Sequence, residues 1–442
     1  MNNIQVQVIS NSTTFYPVDS RNEDGLTLIN SIAFLEENFK EGILSFSAEK
    51  QIVVLQMWNG LLFSISTSSN LSEELLRYIL QIIRDTAVFL LGPHYENMMA
   101  KSIVASLRDI FSRYVEKYLN LFANDYKAAL YLADYDIIDP KVTQMLKDSI
   151  KFDANNDESL IEVILFKNHK IAKRFPKNEN RILETSDVFL ISMFEQLEFP
   201  GDFKNESDII IPEQNQIINK GAFIRIDGQP QQGLLSSVRF GSKSQFVAIF
   251  VFKGNQLTQE NKERTYVQMS QVAQSLISSQ ITTAIRPTFQ ITGLLHYILI
   301  NRTTGEFFDP HFITSSKGEL EQKNLALMEK MKRRMVSIGM SSHINGYPSM
   351  IRNEMILQYT YDIIFINVKK QKEVTPKLFN AADFSEIGVS YKIATKNAFG
   401  DDSEIHCYEL MTVYLGAMNT GDVIKANSQL FKELTEFKRK ME

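Results

Sequence analysis

Short apolar runs joined by links too brief for a parallel crossover constrain this chain more than any other feature of its sequence. Ile4, Val6 and Val8 alternate with polar residues, Phe15-Tyr16 runs into Pro17, and further strand patterns follow at Ile43 to Phe46, Ile52 to Trp58 and Leu61 to Ser66. A parallel pair needs a connection of about a dozen residues or more. Only the link from Pro17 to Ile43 has that length, and it carries a helical pattern at Leu26, Ile29, Ile32, Ala33 and Phe39 that Gly42 ends. The strands must therefore meet mainly antiparallel. Asn59-Gly60 fits the tight turn of a hairpin, because both residues accept the positive φ it requires.

Helices follow. Asn70 to Glu74 offers a cap and N-terminal acids for a helix running to Leu91, where Gly92-Pro93 stops it. A second helix is expected from about Glu96 to Phe122, with Met99, Ile103, Leu107, Ile110, Tyr114 and Leu121 as its apolar stripe.

The order strand, strand, helix, three strands, two helices then returns in looser form. Ala128 to Ile138 reads as a strand, Asp139-Pro140 opens a short helix to about Phe152, and Leu160 to Phe166 with Lys170 to Phe175 forms a hairpin around Asn168-His169. Ser186-Asp187 caps a helix ending near Pro200. Strands at Ala222 to Ile226, Leu234 to Phe240 and Phe246 to Phe252 precede a helical pattern from about Gln259 to Thr283, which Arg286-Pro287 breaks.

A third unit opens with a strand from Leu294 to Asn301, a turn at Thr303-Thr304-Gly305 and a strand through Phe307-Phe308. A helix from Gly318 to Met335, two strands between Met355 and Val368 and another over 388–396 follow. Glu404 to Ala417 and Asp422 to Lys440 read as a closing helix pair. The expected fold is α/β of the α+β type. It has three units, over 1–123, 124–286 and 287–442, each a mainly antiparallel sheet with helices packed on its faces.

At 442 residues the chain exceeds a single domain of about 150 residues. Its 47 basic residues against 52 acidic ones exclude a generally basic nucleic-acid binder, and 44% hydrophobic residues exclude a disordered chain. The start of the sequence shows no basic segment followed by an apolar one, and Cys407 is its single cysteine, so a cytosolic setting is expected. The longest apolar runs, such as 247–252, are far shorter than a membrane span, so any membrane contact is expected to be peripheral.

The residues of chemistry do not converge. There is no phosphate-binding glycine loop, and no pair among the six histidines has metal-ligand spacing. His406-Cys407 is expected to be core, and Asp401 to Glu404 to cap a helix. No catalytic, cofactor or metal site is expected. Basic residues cluster at Lys167, Lys170, Lys173, Arg174 and Lys177 and again at Lys330, Lys332, Arg333 and Arg334, and these are candidates to face anionic lipid headgroups. Trp58 beside its turn reads either as a sheet residue under a helix or as an interface anchor. The helix from Leu26 to Phe39 carries Leu28, Phe34 and Leu35 beside its main stripe. A helix apolar all round needs cover all round, which a partner chain or a neighbouring domain would supply. The strand Phe15-Tyr16 is a candidate edge for that partner.

The order strand, strand, helix, three strands, two helices is that of a longin domain, and three such units resemble the tri-longin proteins. Phe15-Tyr16-Pro17, followed by a helix and the strands around Trp58, resembles the start of the Ccz subunit family of the Mon–Ccz guanine nucleotide exchange factors. Residues 107–114, LRDIFSRY, resemble the end of its first longin domain. The stretch from Asp139 to Phe194, with Leu165 to His169 in its hairpin, is similar to the second, and Tyr297 to Asn301 to the opening of the third. The light-ear subunit family of the Hermansky–Pudlak exchange complex shares this layout.

The resemblance implies a subunit without covalent chemistry in a heterodimer with a second longin-containing subunit. That heterodimer would activate a Rab GTPase on late endosomes, vacuoles or lysosomes, with the first longin domains pairing and the remaining domains touching the membrane. It implies no cofactor and no nucleic acid. A longin-type trafficking adaptor without exchange activity is the alternative.

Overall fold

The computed structural model of the protein describes residues 4–9, 14–17, 45–48, 51–58, 61–68, 71, 73–95, 105–124, 126–135, 140–149, 159–178, 183–200, 209–210, 217–226, 228–242, 246–254, 263, 267, 270–271, 289–309, 319–344, 349–354, 356–367, 369–370, 372–375, 399 and 405–441. The helical patterns expected over 26–39 and 259–283 and the strand expected over 388–396 lie wholly or almost wholly outside these residues. The chain forms two compact units. The first is Met1–Ala129 with Gly221–Arg225 and Gln229–Gly233, and the second holds the rest from Leu130 onward.

In the first unit, strands β1 (Ile4–Ile9), β2 (Thr14–Tyr16), β3 (Ser45–Ala48), β4 (Gln51–Trp58) and β5 (Leu61–Thr67) form an antiparallel sheet in the order β2-β1-β5-β4-β3. The β4–β5 register ends on Trp58 opposite Leu61, as a tight hairpin at Asn59-Gly60 requires. Central β5 is buried almost throughout, whereas β1, one place nearer the edge, keeps some alternation. Helix α1 (Glu73–Leu91) packs on β4 and β5, and α2 (Ala105–Asn124) packs on α1 and β2. Gly92 ends α1 in the left-handed region at φ +94°, and its N–H donates to the Val88 carbonyl at 2.8 Å. The buried stripe of α2 is Phe111, Tyr114, Val115, Tyr118 and Phe122. Leu107, Ile110 and Leu121 are only half-buried; for Ile110 and Leu121 the adjacent rings of Phe111 and Phe122 take the core-facing side.

Two sheets make up most of the second unit, with Gly221–Arg225 and Gln229–Gly233 of the first of them counted in the first unit. The first has β6 (Leu160–Lys167), β7 (Lys170–Pro176), β8 (Ile209–Ile210), β9 (Ile218–Ile226), β10 (Gln229–Ser242) and β11 (Phe246–Lys253) in the order β7-β6-β11-β10-β8, with β9 also on β10. The other has β12 (Leu294–Asn301), β13 (Glu306–Phe308), β14 (Ser349–Glu354), β15 (Leu357–Asn367), β16 (Lys372–Glu373) and β17 (Ile405–Leu415) in the order β13-β12-β17-β15-β14, with β16 on β15. Each of the three sheets thus places its second strand outside its first, its last strand beside the first, and the intervening strands beyond. The fold is mixed α/β with three antiparallel sheets.

Three local expectations are overturned. Of the strand expected over Ala128 to Ile138, the described part to Tyr135 forms none: α3 (Tyr126–Ala129) is a helical turn, Tyr131 has φ +59°, and among these residues only an isolated bridge from Tyr135 to Ile171 joins a sheet. Most of the helix expected over Glu404 to Ala417 is instead the strand β17, and the cap expected at Asp401 to Glu404 lies outside the described residues. The pair expected from Met355 is displaced toward the N-terminus, since β14 precedes Met355 and β15 follows Ile356. Smaller shifts accompany these. Helix α4 (Pro140–Ser149) stands as expected. Helix α5 (Thr185–Glu198) starts behind Glu184 with no side-chain cap, and places Ser186 and Asp187 inside its first turn.

Strand β17 lies between two helices. On one face α6 (Glu319–Ile344) brings Gly339 so close to Met411 and Tyr361 that an added Cβ would lie 2.6 Å from the Met411 methyl carbon. On the other, α7 (Thr420–Met441) packs Val423, Leu430 and Leu434 against Tyr408, Leu410 and Tyr414. Buried Asn427 fixes that contact: its Nδ2 donates to Thr360 Oγ1 and Asp362 Oδ2, both at 2.8 Å, while its Oδ1 accepts from Thr412 at 3.0 Å and Tyr414 at 2.7 Å. Every hydrogen-bonding site of the amide is used.

Gly416 tests how tightly this sheet ends. A Cβ there would lie 2.8 Å from the Ile356 carbonyl carbon, a backbone atom that has little room to give. Gly416→Ala is expected to cost about 1–3 kcal/mol, whereas Gly221→Ala, with nothing within 4 Å, should change stability by less than about 0.5 kcal/mol. Thermal unfolding of the two variants checks the contrast.

Candidate interaction site

The turn between β12 and β13 gathers two buried charge pairs of the second unit. Asn301 Oδ1 accepts from the N–H groups of Thr303 at 3.0 Å and Thr304 at 3.3 Å, which shapes the turn locally. Gly305 completes it at φ +76°, where a side chain would press on Thr185. Arg302 then reaches inward. Its Nη2 donates to Glu409 Oε2 of β17 at 2.9 Å and its Nη1 to the Leu130 carbonyl at 2.8 Å, while its own carbonyl accepts from Thr185 Oγ1 of α5 at 3.0 Å.

A second buried pair meets the same turn from the other sheet. Arg174 of β7 donates from Nη2 to Glu162 Oε2 of β6 at 3.0 Å and to the Leu183 carbonyl at 3.1 Å, and from Nη1 to the Thr304 carbonyl. Glu162 also accepts from the Leu183 N–H at 3.0 Å. Burial works against the Arg174 charge, but the Glu162 carboxylate more than offsets it, so the guanidinium holds its proton above the usual range. Burial pushes the Tyr135 phenol up to about 12 despite the opposing Arg174 charge. It also pushes the Cys407 thiol well up, with Glu409 adding to the shift. Cys407 is fully buried beside Phe365 and Ile405, so it is packing rather than a nucleophile. The cluster positions a turn between two sheets, since its charged groups face one another and backbone carbonyls.

Two histidines hold carboxylates elsewhere in this unit. His296 Nε2 lies 2.8 Å from Asp309 Oδ1, and Lys332 Nζ lies 2.7 Å from Asp309 Oδ2. Burial raises the Asp309 carboxyl, but the hydrogen bonds and charges of His296 and Lys332 outweigh it and hold the group well below the usual carboxylate range. The hairpin expected around Asn168-His169 is present, with both residues in the left-handed region, and His169 Nδ1 is 3.0 Å from Glu195 Oε2. Among the described residues no group of three His, Cys, Asp or Glu could hold a metal ion.

The candidate partner-facing residues fall in several places. Phe15 and Tyr16 are buried in the first unit, edge-to-face with Phe111 at 5.4 and 6.3 Å. Arg108 of α2 donates to the carbonyls of Thr14 at 2.7 Å and Phe15 at 3.3 Å, covering part of the edge strand β2. Trp58 is half-buried, edge-to-face with Phe63 at 5.0 Å, and the Arg84 guanidinium of α1 lies 4.8 Å over its ring. Leu28, Phe34 and Leu35 lie outside the described residues.

The candidate membrane-facing residues divide. Arg174 and Lys332 serve the carboxylates of Glu162 and Asp309, a correction to their reading as lipid-facing groups: each is mostly buried, and leaving its partner would strand a charge. Lys170 Nζ lies 3.8 Å from Asp134, and Lys167, Lys173 and Lys177 are half-buried. Arg333 is exposed, and Arg334 pairs with Glu354.

The buried pairs escaped the sequence reading. Their one signal is a carboxylate in the middle of an apolar strand, Glu162 between Ile161 and Val163 and Glu409 between Tyr408 and Leu410. No protein-family model and no curated protein matches this chain. Among the described residues no helix is long and apolar enough to cross a membrane.

Two stability measurements probe these clusters. Arg302→Met would leave the buried Glu409 carboxylate without its counter-charge and should cost about 3–5 kcal/mol, while adding Glu409→Leu should recover most of the loss. Urea unfolding of the single and double variants measures both. For Asp309, a carboxyl held low when folded stabilises above its unfolded pKa of about 4, and that stability disappears as pH falls through the lower folded value. Asp309→Asn should therefore be less stable than the parent at neutral pH by about 1–3 kcal/mol, with the gap closing below about pH 4. Urea midpoints taken across that range would show whether the curves converge.

Proposed function

We propose that this chain is one subunit of a heterodimeric guanine nucleotide exchange factor that activates a Rab GTPase of late endosomes, vacuoles or lysosomes. The supporting observation is the threefold use of one strand order, with the second strand outside the first and the last strand beside it. Three such sheets fit the tri-longin layout that the sequence resembles, and they fit three longin-like units better than three unrelated modules. In this reading the first unit meets a second longin-containing subunit and the GTPase, and the second unit scaffolds the complex at an anionic membrane. Cofactors are not required.

Exchange of this kind is differential binding. A surface that favours the nucleotide-free GTPase lowers nucleotide affinity by the same free energy with which nucleotide weakens the complex. The side chains that matter are then those that grip one conformation of the GTPase, and no bond is made or broken by this subunit.

The reading is tested by nucleotide release. Release of labelled GDP from candidate Rab proteins should accelerate when this chain and a co-purified longin-containing partner are added together, and should stay at the intrinsic rate with this chain alone. Full acceleration by the single chain would overturn the composite-site reading, and stoichiometric partner binding without acceleration for any Rab would identify an adaptor.

A further inference from the structure

Among the described residues, one end of the third sheet gathers most of the large hydrophobic side chains that stand exposed. Ile356 is 78% exposed, Ile424 54%, Leu415 47% and Leu295 37%. The registers bring them together: Leu415 ends β17 opposite Leu357, Leu294 pairs with Tyr414, and α7, which carries Ile424, begins five residues after Leu415. The tip is the β14–β15 connection. Its register closes on Glu354 opposite Leu357, leaving Met355-Ile356 as the two linking residues. Such a link ordinarily uses Gly, Asn or Asp, so an aliphatic pair there breaks the local rule. Gly416 donates its N–H to the Ile356 carbonyl at 2.7 Å, so the tip is held in place with its aliphatic side chain outward.

Basic groups surround this end. Arg334 of α6 and Arg352 of β14 both lie on Glu354, Arg334 Nε 3.0 Å from Oε2 and Arg352 Nε 3.1 Å from Oε1, so two guanidiniums share one carboxylate beside the tip. Exposed Lys330 lies one helical turn before Arg334, and exposed Lys425 follows Ile424. This local excess of cations stands in a chain whose net charge is −5.

We propose that this end of the third sheet docks on an anionic lipid surface, with Ile356 inserted among the headgroups and Lys330, Arg334, Arg352 and Lys425 around it. The chemistry favours lipid over a protein partner. The patch is aliphatic rather than aromatic, its tip is a narrow hairpin, and the cations Lys330, Arg334, Arg352 and Lys425 at its rim outnumber the carboxylates of Glu354 and Asp422. The inference deepens the membrane part of the function proposed above. Its test needs neither partner subunit nor GTPase, so lipid docking can fail while exchange stands, and the reverse.

The test is sedimentation of the purified full chain with vesicles of phosphatidylcholine containing phosphatidylserine, against phosphatidylcholine alone. The parent protein should sediment with the mixed vesicles and much less with the neutral ones, and the binding should weaken with salt. Ile356→Ser should lower vesicle affinity about tenfold with an unchanged unfolding temperature, because the side chain is mostly exposed in the free protein. Lys330→Glu with Lys425→Glu should lower it severalfold. The proposal is overturned if the parent ignores both vesicles, or if both variants bind like the parent. It is equally overturned if Ile356→Ser abolishes a concentration-dependent dimer instead, which would give the patch to a second copy of this chain.

Discussion

The second unit depends on two buried arginine–carboxylate pairs that meet at one turn. Arg174–Glu162 comes from one sheet and Arg302–Glu409 from the other, and each arginine also donates to backbone carbonyls of neighbouring segments, Arg174 to those of Thr304 and Leu183 and Arg302 to that of Leu130. An ion pair in such surroundings is a poor source of net stability, since desolvation cancels much of the attraction. Its value is geometric. Removing either member leaves a buried charge without its counter-charge, and drawing the two sheets apart at this turn would cost the hydrogen bonds from Arg174 to the Thr304 carbonyl and from Thr185 to the Arg302 carbonyl.

The same logic runs through the third sheet with uncharged groups. Asn427 ties α7 to β15 and β17 through four hydrogen bonds, and only one placement of the helix satisfies all of them. Apolar packing of Val423, Leu430 and Leu434 supplies the driving force, while the amide selects the register. With β17 covered on both faces, the free surface of this sheet shifts to its end, where Ile356 and Leu415 stand exposed. The interior polar contacts fix which surface is left for other molecules.

How much was legible in the sequence follows from the periods involved. Strands with one wet face, such as β1, and hairpins with turn residues, such as Asn168-His169, were readable because alternation and positive φ leave local marks. Strand β17 was misread as a helix for a physical reason. A strand buried on both faces is apolar throughout and loses its period of two, and Ile405 to Leu415 then looks like one side of a helix. The Met355-Ile356 link was missed because it has no turn residues, which displaced the expected strand pair. Of the candidate site residues, Arg174 and Lys332 looked like solvated cations because nothing local shows that Glu162 and Asp309 lie against them in the fold.

By itself the sequence determined that this chain builds antiparallel sheets with helices on their faces, because link lengths forbid most crossovers and hydrophobic spacing assigns the faces. The tertiary structure alone decided which strand neighbours which, which charges are buried, and which apolar residues remain outside. These depend on contacts between residues far apart in the chain, such as Arg302 and Glu409 or Gly416 and Ile356. Such partners are chosen by the packing of whole elements, and local propensity carries no record of them.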